Sequence, residues 1–339
     1  MRAWMLPAGS QGFDELYMTE LTDPSPGPGE VLIAPQAWSI NYRDFAVAQG
    51  TYFNGILSEP AIPMSDAAGE VVAIGENVTN VRPGDRVQSV FFLDWLTGPQ
   101  RESRALGDGV QTGVLAERVV LPASAVLPIP ANYSFADAAC MPGAGVTVWN
   151  ALFEGGRPIT AGSKVLAMGT GGVSMIALEV AKAVDAEVIV TSSSDEKLER
   201  VKAMGASHTL NYHTDPDWGA IIAREWGGVD KILEVGGTGT LPKSIEALGF
   251  EGEIALIGVL ADGDPPNTHP LMLKGGALRG IFCGSRDMAE KLNSFVEEHD
   301  VKPPIGARFG FEDVVAAFAF GWGSESFGKT VIELRQERM

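Results

Sequence analysis

Apolar and polar positions follow two rhythms in this chain, and the change comes near residue 126. Before it, short β-type runs such as Glu30-Val-Leu-Ile-Ala34, Gly69-Glu-Val-Val-Ala-Ile74 and Glu117-Arg-Val-Val-Leu121 are separated by turn signals. Those signals are Pro24-Ser-Pro-Gly-Pro-Gly29 and Arg82-Pro-Gly-Asp85. The pattern predicts a compact, mostly antiparallel β domain over 1–125. Beyond it, six strand-like runs alternate with helical ones: Val165–Met168, Val188–Thr191, His208–Leu210, Lys231–Val235, Glu253–Ile257 and Leu278–Phe282, with helices over Glu196–Met204 and Pro216–Trp226. That alternation predicts a doubly wound parallel sheet over 126–275. The tail, 276–339, supplies the last strand of that sheet, two helices (Met288–His299, Phe311–Gly321) and a final strand, Thr330–Leu334, that returns to the first domain.

The first parallel strand runs into Gly169-Thr-Gly171-Gly172-Val-Ser174, and an apolar helical segment follows. Strand, glycine turn, helix and second strand form the context that a dinucleotide-binding fingerprint requires. Gly169 allows the sharp exit. Gly171 lets backbone N–H groups approach a pyrophosphate at the helix N-terminus. Thr170, Gly171, Gly172 and Val173 are therefore candidate cofactor contacts, with Ser174 at the third small position. The second strand ends in Thr191-Ser192-Ser193-Ser194, with no carboxylate at its tip to hold a ribose 2′-OH. Asp195 and Glu196 lie just beyond, and Ser193 with Glu196 reads as a capping box. Ser192 and Ser193 leave room for a 2′-phosphate, and Lys197 is spaced to pair with it. The expected cofactor is NADPH rather than NADH.

Composition narrows the partners. The 339 residues suit two domains, and 45% hydrophobic with 20% charged residues indicates a packed globular protein. The net charge of −18, from 43 acidic and 25 basic residues, opposes nonspecific binding to nucleic acid or anionic membranes. No stretch is long and apolar enough to span a bilayer, and the N-terminus lacks a signal-peptide pattern. Two cysteines, Cys140 and Cys283, form no C-x-x-C motif, so a reducing, cytoplasmic location is expected. The four histidines show no metal-ligand spacing, and no G-x-S-x-G elbow supports a serine hydrolase. Gly323-Ser-Glu-Ser-Phe-Gly328-Lys329-Thr330 matches the phosphate-loop expression, but a helix-like segment precedes it and a strand follows. The order is the reverse of what that mechanism needs, so NTP binding is rejected.

The pieces Asn41-Tyr-Arg-Asp44, Gly50-Thr-Tyr52, Pro63-Met-Ser-Asp-Ala-Ala-Gly69, Pro83-Gly-Asp-Arg-Val87, Gly145-Val-Thr147, Lys202-Ala-Met-Gly-Ala206 and Asn211-Tyr212 accompany the glycine turn in order. Together they resemble the medium-chain dehydrogenase/reductase superfamily over nearly the whole chain. The resemblance implies an α/β protein with a GroES-like catalytic domain and a Rossmann domain. Its zinc enzymes carry a Cys, a His and a further Cys or Asp on the catalytic metal. The matching positions here are Asn41, Ser65 and Gly143, none a good zinc ligand. The structural-zinc lobe would fall in 91–112, which holds no cysteine; its run Phe91–Leu96 is apolar instead, suited to a substrate cleft or subunit contact. The resemblance is thus to the zinc-free branch of quinone oxidoreductases and enoyl-thioester reductases. Residues matching Lys197 and Tyr212 there contact the 2′-phosphoadenosine end, with His213 replacing a frequent Arg. Lys329 resembles a late-loop contact to a cofactor phosphate.

Chemistry without a metal needs hydrogen-bond donors for the charge that hydride transfer creates. Asn41, Tyr42 and Tyr52 are the candidates, and Tyr52 matches a proton-donating Tyr of enoyl-thioester reductases. Asp44, beside Arg43, reads as an ion-paired structural residue. Thr147, Gly258 and Phe282 are candidate contacts of the cofactor, Phe282 with the ordinary core role as a rival. The resulting expectation is an NADPH-dependent, zinc-independent oxidoreductase acting on a quinone or an α,β-unsaturated carbonyl compound, assembled as a homodimer. Rivals are a zinc-independent alcohol dehydrogenase or ketone reductase, and a noncatalytic NADPH-binding protein.

Overall fold

The computed structural model describes residues 1–101, 103–258 and 260–334. The chain divides into two units, Met1–Val146 with Gly284–Met339, and Thr147–Cys283. The division comes later than the expected 125/126. Residues 126–146 stay with the first unit because Val126–Pro128 pairs with Arg86–Ser89, and Phe135–Ala139 packs on the sheet that holds Glu30–Ser39.

Among the described residues, the first unit is built on a seven-stranded sheet. Its order is Ile305–Gly310, Lys329–Glu333, Glu30–Ser39, Ala67–Ile74, Arg86–Ser89 and Val126–Pro128, with Val119–Pro122 pairing off this path to Glu30–Ser39. Glu30–Ser39 is the spine: it pairs antiparallel with Lys329–Glu333, Ala67–Ile74 and Val119–Pro122. Pro35, which cannot donate to a ladder, sits at a register shift in this strand. A Cβ on the facing Gly69 would stand 2.1 Å from the Ala34 carbonyl oxygen, so only glycine lets the bulged strands meet. The GroES-like unit thus delivers two chain segments, at either end of the sequence, to the neighbourhood of Ser39–Asn41.

In the second unit six parallel strands are ordered His208–Asn211, Glu187–Ser192, Lys164–Met168, Val229–Glu234, Leu248–Leu256, Ala277–Gly280. Numbered along the chain this is 3-2-1-4-5-6, the Rossmann order, with its switch point beside Lys164–Met168. Strand and helix positions follow the sequence pattern closely; the predicted Pro216–Trp226 helix starts at Trp218, and Phe311–Gly321 is a 3-10 turn, Phe311–Asp313, leading into a helix over Val314–Trp322. Leu166, Ile189, Ile222, Ile232, Ile245 and Ile254 fill one side of the sheet. Across the same sheet Lys231, 1% exposed, pairs with Glu253 at 2.7 Å, and Arg279 joins Glu253 at 3.1 Å.

Candidate active site

In the first unit the chemistry gathers where the spine strand turns into a short helix, Tyr42–Ala48. Asn41 is its N-cap, and the Asn41 N–H donates to Asp44 Oδ2 at 2.7 Å. The Asn41 side chain is oriented from the far end of the sequence. Lys329, 3% exposed, donates from Nζ to Asn41 Oδ1 at 2.6 Å and to the Ile40 carbonyl at 2.7 Å. An ammonium has no lone pair, so this bond fixes which amide atom is oxygen. Asn41 Nδ2 is left as a buried donor with no acceptor among the described residues. Lys329 therefore belongs to the Asn41 cluster, and its ammonium is engaged by neutral oxygens rather than presented as a phosphate contact. The strand Lys329–Glu333 also replaces the helix that a phosphate loop would require.

Asp66 completes this cluster from the loop that leads into the strand Ala67–Ile74. Met64 takes a left-handed conformation, φ 70°, immediately before Ser65 and Asp66. Asp66 Oδ1 accepts from Ser65 Oγ at 2.6 Å, and Oδ2 accepts from the Gly143 N–H at 2.8 Å. A Cβ on Gly143 would lie 2.9 Å from both Asn41 Nδ2 and Asp66 Oδ2. The three positions matched to zinc ligands, Asn41, Ser65 and Gly143, thus do come together in space. Asp66, which sequence reasoning missed, stands among them.

Arg43 and Asp44 correct the expectation of a local ion pair. No ion pair joins them among the described residues. Arg43, 8% exposed, donates from Nη1 to the Leu106 carbonyl at 2.6 Å, and its guanidinium carbon lies 4.9 Å from the Tyr52 ring centroid and 4.5 Å from that of Phe91. Burial pushes the Asp44 carboxyl up to about 6, against the opposing pull of Arg43, the Asn41 N–H and Lys329; Asp66 adds to the rise. Tyr52 is therefore held against Arg43, whereas Tyr42 is half exposed and stacked on Trp322, centroids 6.0 Å apart. The apolar run after Val90 turns inward: Phe91, Phe92, Leu93 and Trp95 are buried. Cys140 contributes no nucleophile, because burial pushes its thiol up to about 12.

In the second unit the predicted cofactor residues lie at the carboxyl ends of adjacent strands. Gly169 has φ 76° and exits the strand Lys164–Met168. Gly171 caps the helix Gly172–Lys182, and a Cβ there would meet nothing within 4 Å. The first-turn N–H groups of Gly172 and Val173 have no intrahelical acceptor and border this open space. Thr170 is buried beside it. Ser174 donates from Oγ to the Met168 carbonyl at 2.5 Å, so the hydroxyl fills the close helix–strand approach that a third glycine would leave.

Ser192 is buried and Ser193 exposed at the next strand end. The cap falls one residue later than predicted: Ser194, not Ser193, accepts from the Lys197 N–H at 3.3 Å, which leaves Ser193 outside the helix Asp195–Ala203. Tyr212 donates its N–H to the Ser192 carbonyl, and its ring is partly exposed against His213. Ser192, Ser193, Lys197 and Tyr212 therefore share one corner. Thr147 is buried in the first turn of Val146–Phe153, and Phe282 is 37% exposed beyond the sixth strand. Gly258 has a packing duty: a Cβ there would stand 1.7 Å from the Val235 carbonyl oxygen. Sequence reasoning also missed Glu234, whose buried carboxylate receives the N–H groups of Gly236 and Gly237 and the hydroxyls of Thr240 and Ser244, shaping the loop after the fourth strand.

Residues 27–131 match the family model of the alcohol dehydrogenase GroES-like domain, and residues 172–298 match that of zinc-binding dehydrogenases. The chain is 39% identical over 335 residues to a zinc-type alcohol dehydrogenase-like protein of Schizosaccharomyces pombe, covering 95% of this chain and 96% of the relative. The chain belongs to the medium-chain dehydrogenase/reductase superfamily. It is an oxidoreductase of that family. A putative alcohol dehydrogenase from Sinorhizobium meliloti superposes with a TM-score of 0.89 at 38% identity, over 98% of this chain and 100% of that one. The 2-methylene-furan-3-one reductase of Solanum lycopersicum is 29% identical, over 89% of this chain and 71% of its own.

The two groups this superfamily implies fare differently against these residues. The nicotinamide nucleotide fits the open glycine turn and helix N-terminus. Zinc does not fit the donors at Asn41, Ser65 and Gly143: one amide oxygen already holds an ammonium, one hydroxyl donates to Asp66, and the glycine has no side chain. Among the described residues no three His, Cys, Asp or Glu side chains gather to hold a metal. No helix among them is long and apolar enough to cross a membrane.

Proposed function

We propose that this chain is an NADPH-dependent, zinc-independent reductase that passes hydride to a quinone or an α,β-unsaturated carbonyl compound. One observation carries the reading: at the positions matched to zinc ligands, Lys329 pins Asn41 Oδ1 and leaves Asn41 Nδ2 as an oriented donor. Thr170–Val173 would receive the cofactor pyrophosphate, Ser192, Ser193, Lys197 and Tyr212 its 2′-phosphoadenosine end, and Thr147, Gly258 and Phe282 its nicotinamide half. When bound, the dihydronicotinamide supplies the hydride. Reduction of a conjugated carbonyl places negative charge on its oxygen, and a donor fixed beforehand stabilises that charge without reorganising. Asn41 Nδ2 is that donor. The Tyr52 phenol delivers the proton to the carbon next to the carbonyl. Tyr42, stacked on Trp322 at the surface, has no place in this scheme. The protein works as a cytoplasmic homodimer on a small-molecule substrate.

The test is NADPH oxidation across quinones, enones, enals and ketones, with metal analysis of the same sample. Saturated carbonyl or hydroquinone products support the proposal. A secondary alcohol product assigns the chain instead to ketone reduction, the reading favoured by its alcohol dehydrogenase-like relatives. NADPH binding without turnover leaves only a binding protein, and stoichiometric zinc needed for turnover ends the metal-free scheme.

A further inference from the structure

Arg43 is a buried cation with an unused edge. Its Nη1 is committed to the Leu106 carbonyl, and the rings of Tyr52 and Phe91 lie against the guanidinium. Nε and Nη2 are buried and have no acceptor among the described residues. These two N–H groups form one side of the planar fork, the side that matches two coplanar oxygens. No carboxylate among the described residues takes that side. Asp66 is occupied by Ser65 and Gly143; Asp44 accepts the Asn41 N–H on Oδ2, and its Oδ1, itself unpartnered, makes no ion pair with Arg43 among the described residues. A lone ketone oxygen meets both N–H groups only in a bent, three-centre arrangement and brings no charge to offset the buried guanidinium, whereas a carboxylate meets each N–H in line.

We propose that Arg43 determines specificity by receiving, on Nε and Nη2, the two oxygens of a carboxylate carried by the substrate. The acceptor is then an unsaturated carbonyl compound that is also an acid, in preference to a neutral enone or a quinone. This inference rests on the reductase reading above. The carboxylate is an anchor and takes no part in bond making, while the conjugated carbonyl faces Asn41.

The experiment compares 4-oxopent-2-enoic acid with its methyl ester, with NADPH as the hydride source. The expected kcat/KM favours the acid by about tenfold or more, through KM, because a charge-assisted bidentate contact is lost in the ester. Arg43→Lys and Arg43→Gln are expected to shrink the acid-to-ester ratio to within about threefold, a comparison that needs only residual activity. A second arm needs no turnover. Without cofactor, 4-oxopentanoate should raise the melting temperature of the wild-type protein, and methyl 4-oxopentanoate should not. Equal use of acid and ester overturns the role of Arg43 and leaves the reductase reading standing. No NADPH oxidation with any acceptor sinks the reductase reading, and the melting comparison then decides Arg43: a shift with the acid alone supports it, and no shift or equal shifts overturn it.

Discussion

Replacing Asp44 by Asn should stabilise the first unit, and should do so more strongly as pH rises. Asp44 is 1% exposed; its Oδ2 accepts the Asn41 N–H, and its Oδ1 has no hydrogen-bond partner among the described residues. Burial raises this carboxyl from 3.8 to about 6. At 1.36 kcal/mol per unit, a rise of roughly two units corresponds to about 3 kcal/mol of destabilisation at neutral pH. The sign follows from proton binding. Between roughly pH 4 and 6 the folded protein keeps a proton that the unfolded chain has released, so stability falls as pH rises through that window. Above it the penalty is complete. Asn retains an acceptor for the Asn41 N–H but brings a buried amide donor, an offset of about 1 kcal/mol that does not vary with pH. The advantage of Asp44→Asn over wild type should therefore widen by about 1.5 kcal/mol between pH 5 and pH 7.5, whatever that offset is. Urea unfolding of both proteins at several pH values in this range measures it. A pH-independent difference, or one that narrows with rising pH, would refute the assignment of a destabilised buried carboxylate.

Lys197→Ala should weaken NADPH binding by roughly tenfold while sparing NADH, since only the former carries the phosphate it would pair with; equal losses in titrations of the two cofactors would end the 2′-phosphate argument. Asn41→Ala should lower kcat by about a hundredfold or more, as loss of an oxyanion donor does, with NADPH affinity retained. A fall in cofactor affinity at unchanged kcat would place Asn41 elsewhere in the cycle. Gly258→Ala should destabilise the Rossmann unit by about 2 kcal/mol, because its Cβ would overlap the Val235 carbonyl and the strand ends must separate. A melting temperature equal to wild type would show that this loop yields freely.

The fold could be read from the sequence because its signals are local. Alternating strands and helices, the glycine turn and the apolar periods each lie within a dozen residues, and they sufficed for the six Rossmann strands. That Ser192, Ser193, Lys197 and Tyr212 lie at one corner was legible for the same reason, except that the Ser193–Glu196 capping box hid the actual cap, Ser194. Consecutive serines offer two registers that differ by one residue, and the chain gives no local reason to choose. The first-unit site was harder to read. Arg43 is buried by Tyr52, Phe91 and Leu106, and Asn41 is oriented by Lys329, 288 positions away. A motif reading treats Arg43 and Asp44 as neighbours that should pair. On the first turn of a helix, consecutive side chains point in different directions. Glu234 was invisible for a similar reason: its donors are Gly236, Gly237 and Thr240 of the loop it shapes and Ser244 of the helix that follows.

The charges around Asn41 make better sense as a binding device than as a stabilising one. Arg43, Asp44, Asp66 and Lys329 are all buried, yet no direct ion pair forms among them in the described residues. Each is held by a neutral partner: a carbonyl for Arg43, a backbone N–H for Asp44, a hydroxyl and an N–H for Asp66, a carbonyl and an amide oxygen for Lys329. Burying charges this way costs several kcal/mol per ion, and close pairing would recover part of it. The unpaired arrangement instead leaves four atoms of three residues unsatisfied: Asn41 Nδ2, Arg43 Nε and Nη2, and Asp44 Oδ1. All belong to the start of one helix, and three of the four are donors. A bound oxyanion or carboxylate would supply what those donors lack, so the energy withheld from folding becomes available on binding. Lys329 illustrates the point most directly. The resemblance placed it at a cofactor phosphate; in the structure its ammonium, 3% exposed, instead holds Asn41 Oδ1 and so fixes the polarity of that amide.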